Sequence, residues 1–251
     1  MRLAGVLLIG AAVLAEDRFA PYVYHGPGNQ TLPYRLYTPA GYENGARYPL
    51  VVFLHGVEAL GSDNSKQISG KEYTGSHVWT TLENQAKYPC FVLAPQCALG
   101  GVWAYPVSRR PSRYLLRVAG IVDELERRYP IAPDRIYVTG QSLGGFGVWA
   151  LIGAFPGRFA AAVPVCGGGN TRKAPSLIHL PIWAFHNAND PVVWVLESRR
   201  MIGALRKAGG SPKYTEYPGG LHNSWDRAYH EPELLPWLFA LRNSLTPATT
   251  R

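Results

Sequence analysis

The sequence predicts an α/β fold built on a mostly parallel central sheet with helices on both faces, and three observations carry that expectation. Tyr48 to Leu54 (YPLVVFL) is a continuous apolar run, the pattern of a strand covered on both faces. Shorter β-branched or aromatic runs recur at Phe91 to Pro95, Arg135 to Thr139 and Phe159 to Val165, with helical periodicity between them. At 251 residues and 47% hydrophobic content, the chain is sized for one large core and needs no second domain.

Residues 1–15 (MRLAGVLLIGAAVLA) hold one cation at Arg2, an apolar run from Leu3 to Leu14, and small residues before Glu16. This is a signal-peptide pattern, too short to span a bilayer core of about 30 Å. The expected organisation is therefore a signal peptide over 1–15 and a single domain over 16–251, secreted or periplasmic, with no stable membrane association after signal removal. The formal net charge is +8, but the pairs Arg109-Arg110, Arg127-Arg128 and Arg199-Arg200 are scattered. With no basic run interleaved with aromatics, nucleic acid is not an expected partner.

In chain order, Phe19 to His25 and Leu32 to Thr38 alternate apolar with polar residues around the turn Gly26-Pro27-Gly28-Asn29, which predicts an antiparallel hairpin at the sheet edge. Glu58 to Gly75 reads as a long polar loop walling the site, in which Asp63 and Asn64 fold the loop on itself. A helix is expected over Ser76 to Tyr88, with Val78, Leu82 and Ala86 recurring at helical spacing and Trp79 facing either core or cleft. Leu99 to Arg113 is a second long loop; its Trp103 and Tyr105 are candidates for substrate contact, with packing of the loop as the equal alternative. Leu115, Val118, Ile121, Val122 and Leu125 define an amphipathic helix over Ser112 to Tyr129. Another helix is expected over Val192 to Lys207. The short span from Gly169 to Pro181 leaves no room for a cap domain.

The chemistry centres on Gly140-Gln141-Ser142-Leu143-Gly144, a G-x-S-x-G turn between a predicted strand and a predicted apolar helix over Leu143 to Phe155. In such a turn the serine hydroxyl projects above the sheet, and the flanking glycines avoid contact with neighbouring backbone. A serine is inert until a base accepts its proton and an acid orients that base. Asp190 follows the apolar strand that starts at Ile182, and His222 lies in the glycine-rich loop after Tyr217. Both fall where parallel strands end, as Ser142 does. Asp226 and Glu197 rival Asp190, and His222 is one of seven histidines. It alone combines the glycine-rich loop with a position after the acid. Three cysteines leave one unpaired, and a Cys97–Cys166 disulfide or free buried thiols are equally open. With no His-x-x-x-His or Cys-x-x-Cys spacing, neither a metal nor another cofactor is expected.

Leu54-His55-Gly56, Gly61-Ser62-Asp63-Asn64, Ala94-Pro95-Gln96-Cys97, Gly140 to Gly145, Pro164 to Gly169, His186 to Val193 and Gly220-Leu221-His222 together resemble the α/β-hydrolase superfamily. Within it the chain is similar to secreted serine esterases of the polyhydroxybutyrate-depolymerase and feruloyl-esterase-like group, often labelled predicted peptidases. The resemblance implies the α/β-hydrolase fold without a cap domain and a triad of Ser142, Asp190 and His222. It also implies an oxyanion hole from the backbone N–H groups of Val57 and Leu143. Gln141, next to the serine, is a further substrate-contact candidate, and His55 is read as a buried histidine bracing its loop. The expected function is a serine carboxylesterase acting through an acyl-enzyme on short-chain, aryl or sugar esters, with small-molecule or polymeric esters as substrate. A serine peptidase, a polyester or feruloyl ester depolymerase, and a non-catalytic binding protein on the same fold are the alternatives.

Overall fold

The computed structural model describes residues 18–104 and 111–245. The expected signal peptide, Tyr105 and the tail from 246 lie outside the described residues.

The expected hairpin forms from β1 (Phe19–Gly26) and β2 (Gln30–Tyr37), paired antiparallel. β2 also pairs antiparallel with β4 (Phe91–Pro95), which joins the hairpin to a parallel set. That set contains β3 (Tyr48–Leu54), β4, β5 (Ile131–Gln141), β6 (Ala161–Val165), β7 (Trp183–Asn187) and β8 (Lys213–Tyr217). The order across the eight strands is β1-β2-β4-β3-β5-β6-β7-β8, with β3 and β5 near the middle. Every residue of β3 is buried, as its unbroken apolar run requires.

Side chains alternating along β3 feed two cores. Leu50, Val52 and Leu54 pack with α3 (Arg113–Arg128), α4 (Leu143–Ala154) and α5 (Leu196–Lys207). Val51 and Phe53 pack on the other face with Trp79, α6 (Trp225–Tyr229) and α7 (Leu234–Ala240). In α3 the buried set includes Leu115, Val118, Ile121, Val122 and Leu125, the stripe read from the sequence. Its N-terminus is closed by Ser112, whose hydroxyl accepts the Leu115 N–H at 3.2 Å. Between β6 and β7 there is a single 3-10 helix, Thr171–Leu177, and no cap.

Two expected helices differ. The one expected over Ser76 to Tyr88 is broken into α1 (Tyr73–His77), a 3-10 turn (Val78–Thr80) and α2 (Leu82–Lys87). Thr81 leaves helical geometry and caps α2, its hydroxyl accepting the Asn84 N–H at 3.1 Å. Leu82 therefore faces solvent, 81% exposed, while Trp79 is wholly in the core. The helix expected from Val192 begins instead at Leu196, because the N–H groups of Val192 and Val193 are drawn to the Asp190 carboxylate. No helix of the described residues is long and apolar enough to cross a membrane.

Candidate active site

β3, β5, β7 and β8 run parallel, so the loops leaving them converge at one edge of the sheet. Ser142 immediately follows β5 at φ 54° and ψ −117°, a left-handed conformation in which a side chain is strained. The turn is closed by the Ser142 N–H on the Val165 carbonyl (3.0 Å) and the Phe146 N–H on the Ser142 carbonyl (3.1 Å). Backbone crowds it from both sides. A Cβ on Gly140 would lie 2.6 Å from the Leu54 carbonyl oxygen, and one on Gly144 would overlap that same atom. The glycines are thus dictated by the approach of β3 to β5.

The structure brings the three expected side chains together. Ser142 Oγ lies 2.9 Å from His222 Nε2, and His222 Nδ1 lies 2.7 Å from Asp190 Oδ2. Because a carboxylate only accepts, Nδ1 carries the proton and Nε2 is left to accept from the serine. Asp190 is buried, and its Oδ1 accepts the N–H groups of Val192 (2.8 Å) and Val193 (2.9 Å), so the carboxylate is fixed from its own loop. The His222 ring meets Trp225 edge to face at 5.3 Å.

Two asparagines missed in the sequence join the acid loop to the base loop. Asn187 Nδ2 donates to the Leu221 carbonyl (2.9 Å), and Asn189 Oδ1 accepts the Leu221 N–H (3.2 Å). They hold Leu221 at φ 53°, the conformation that turns the chain into His222. Nearby, His186 Nε2 lies 3.4 Å from Asp190 Oδ2. Burial lowers the His186 pKa, so it sits beside the carboxylate as a neutral ring bound to Ser198 Oγ (2.7 Å) and the Val193 carbonyl (2.9 Å).

Val57 opens a 3-10 turn (Val57–Ala59) and Leu143 opens α4, positions whose N–H groups have no partner inside their own helix. Gly56, Val57, Glu72, Gln141, Ser142 and His222 border a cavity of about 40 Å³. Gln141 is buried in its wall and donates through Nε2 to the Lys71 carbonyl at 3.2 Å. Glu72, unremarkable in the sequence, is buried in the same wall and accepts the Gly56 N–H at 3.0 Å.

Of the two readings open for Trp103, substrate contact is corrected and packing holds. It is fully buried rather than in the cleft, its indole donating to the His55 carbonyl at 3.0 Å. An aromatic in a long loop has bent back to fill the space above β3. His55, the ring it meets edge to face at 5.0 Å, is indeed a buried brace. Tyr105 lies outside the described residues. Neither rival acid reaches His222: Asp226 binds Thr74 (2.8 Å) and Asn223 (2.6 Å), and Glu197 pairs with Arg200 (3.1 Å). Asp63 folds its own loop as expected, accepting the N–H groups of Ser65 and Lys66 at 2.9 Å.

The three cysteines are free, buried thiols, and Cys97 is not bridged to Cys166. Cys166 offers a sulfur within 4.8 Å of ligand atoms of Asp190 and His222, a grouping of metal-binding type among the described residues. Burial pushes its thiol pKa up to about 12, while the other two groups already bind each other at 2.7 Å. A cation there would have to break that bond and displace a thiol proton, so the donor set fits a packed floor better than a metal site.

A nucleophile-type serine on a strained strand-to-helix turn, facing a histidine and an aspartate at the same edge of a mostly parallel sheet, is the arrangement of an α/β-hydrolase, and the chain has that fold. No protein-family model matches it. It is similar to the poly(3-hydroxyalkanoate) depolymerase C of Paucimonas lemoignei, 32% identical over 149 residues that cover 57% of this chain and 32% of that protein. A crystal structure of a thermostable esterase superposes with a TM-score of 0.86 at 39% identity, covering 91% of this chain and 64% of that one. A ferulic acid esterase superposes with a TM-score of 0.66 at 13% identity, covering 88% and 97%, a likeness of fold alone. The chain thus resembles a polyhydroxyalkanoate depolymerase and an esterase of the α/β-hydrolase fold, while spanning about a third of the depolymerase it matches.

Proposed function

We propose that the protein is a serine carboxylesterase, with Ser142 as nucleophile, His222 as general base and acid, and Asp190 as the group that orients His222. The observation that carries this reading is the continuous relay from Ser142 Oγ through His222 to Asp190 at 2.9 and 2.7 Å. Ser142 Oγ attacks the ester carbonyl carbon while His222 Nε2 takes its proton. The negative charge on the carbonyl oxygen is met by the N–H groups of Val57 and Leu143, a donor of this kind contributing roughly 2.7 to 4 kcal/mol to barrier lowering. His222 then gives its proton to the leaving alkoxide, which departs as the alcohol and leaves an acyl-Ser142. A water deprotonated by His222 attacks the acyl carbon, and the acid leaves as Ser142 regains its proton.

The cavity beside Ser142, about 40 Å³, accommodates a small acyl group such as acetyl, against the roughly 300 Å³ or more of a site enclosing a drug-sized ligand. Exposed Val57 borders the same cavity as Ser142, and exposed Leu221 precedes His222 in the chain; both offer apolar surface to the rest of an aryl, sugar or polymeric ester. The likenesses to a polyhydroxyalkanoate depolymerase and to esterases support the same class of bond. The signal-peptide pattern of residues 1–15 supports export, with cleavage after Ala15; N-terminal sequencing of exported protein tests it.

Hydrolysis of p-nitrophenyl esters from acetate to palmitate, run beside Ser142→Ala, tests the function. Turnover confined to short chains and lost in the variant is expected. Equal rates with both proteins, or a preference for palmitate, would refute it.

A further inference from the structure

Glu72 closes a 3-10 turn (Gly70–Glu72) in the loop that walls the site, and its side chain points inward with 3% of the residue exposed. Its Oε2 accepts the N–H of Gly56, the residue before Val57, at 3.0 Å. Its Oε1 has no hydrogen-bond partner among the described residues, and the carboxyl borders the same cavity as Ser142 and His222. The fit is close: a Cβ on Gly56 would lie 2.9 Å from Oε1. The residue before it reaches the other side of the site, since the Lys71 carbonyl accepts from Gln141, the neighbour of Ser142. One dipeptide, Lys71-Glu72, therefore ties the Gly56–Val57 turn to the turn that carries Ser142.

We propose that Glu72 is a positioning residue for the hydrolysis, holding Gly56 by its N–H so that the next peptide along presents the Val57 N–H to the developing oxyanion, and that it serves this role as the neutral acid. The inference rests on the esterase reading and deepens it. The sign of charge carries the second half. A carboxylate in a cavity where negative charge appears on the substrate oxygen opposes that charge, whereas a carboxylic acid does not.

The surroundings favour the neutral form. From its own loop Glu72 is faced by Glu58, which repels a carboxylate, and by Lys71, whose ammonium is drawn to Glu58 at 2.6 Å. From the sheet and α6 come the Cys166 thiol and the Tyr229 phenol, both kept protonated by burial, and His222 lies across the cavity. Burial, only partly opposed by the Gly56 N–H, pushes the Glu72 pKa up to about 7. As pH rises through that value the carboxyl ionises and the oxyanion is destabilised.

The test compares wild type with Glu72→Gln, which keeps an oxygen acceptor for the Gly56 N–H and removes the charge, and with Glu72→Ala, which removes both. Two rates are followed from pH 5 to 9: kcat and KM for p-nitrophenyl acetate, and labelling of Ser142 by a fluorophosphonate, whose attack builds similar charge without needing an ester substrate. The expected result is a Glu72→Gln to wild-type ratio that grows about tenfold between pH 6 and pH 9 in both assays, with Glu72→Ala losing about tenfold or more in kcat at pH 6 at little change in KM. A ratio flat across pH, or a Glu72→Ala kcat equal to wild type, overturns the proposal. Labelling without ester turnover would instead sink the esterase reading, and the labelling ratios would still decide the role of Glu72.

Discussion

His55 and Cys97 are joined by a hydrogen bond from the Cys97 backbone N–H to His55 Nε2, 2.9 Å long, in a site with no solvent exposure. Accepting at Nε2 forces the proton onto Nδ1, which donates to the Gly56 carbonyl at 2.6 Å. The ring thus fastens the end of β3 to the segment after β4, directly beneath the Gly56–Val57 turn.

Replacing His55 by Ala leaves the Cys97 N–H buried and unpaired, at about 1 to 3 kcal/mol before any cavity cost, and leaves the Gly56 carbonyl with only the long bond from the Ala59 N–H at 3.4 Å. A fall of this size in urea unfolding free energy is expected; an unchanged midpoint and slope would refute it. Wild type has a related acid limb. Burial lowers His55 to about 4 and His77 to about 4, against 6.5 for both when unfolded. Between those values the unfolded chain binds more protons, so this contribution is whole above pH 6.5 and is lost as pH falls towards 4. Melting temperatures of wild type should drop over that window, with the drop reduced in His55→Ala.

The two glycines Gly144 and Gly203 separate close approach from mere composition. Gly144→Ala puts a methyl group onto the Leu54 carbonyl and is expected to abolish activity and cost about 3 kcal/mol or more. At Gly203, within α5, a Cβ meets nothing within 4 Å, so Gly203→Ala is expected to stabilise by roughly 0.5 to 1 kcal/mol through helix propensity, with unchanged turnover. Thermal melts of the pair check both signs.

That contrast also explains what the sequence made legible. The turn at Ser142, the acid loop and the base loop were readable because their chemistry is local: glycines, a strand exit and a turn residue lie within a few positions of each candidate. Trp103 and Glu72 were not. An aromatic in a polar loop reads alike whether it returns to the core or lines a cleft, and a glutamate in a polar loop carries no mark of burial. Their roles are set by partners at His55 and Gly56, 48 and 16 residues away in the chain. The break at Thr81 was hidden for another reason: Val78, Leu82 and Ala86 keep helical spacing while the backbone follows the Thr81 cap.

Asp190 has two duties that one substitution pulls apart. Asp190→Asn retains Oδ1 for the Val192 and Val193 N–H groups, so the loop should hold and the melting temperature should move little. Facing His222 Nδ1 with an amide favours the wrong tautomer, and kcat for p-nitrophenyl acetate should fall about 10⁴-fold, the order found where a triad aspartate is so replaced. A loss under tenfold would show that His222 is oriented by something else.

Glu72 should leave a signature in stability with the opposite sign to that of the histidines. Its carboxyl titrates near 7 in the fold and at 4.5 when unfolded, so between these values the native state binds more protons. Stability is then lost as pH rises from 4.5 to 7, and above 7 the full penalty remains, on the order of 3 kcal/mol. Glu72→Gln cannot ionise and escapes that penalty. Unfolding free energies of the two proteins should be similar at pH 4, and the variant should be the more stable by pH 8, the gap opening around neutrality. A gap that stays constant from pH 4 to 8 would mean that the carboxyl ionises as easily in the fold as in the open chain. The cavity would then hold a carboxylate beside Ser142 throughout the working pH range.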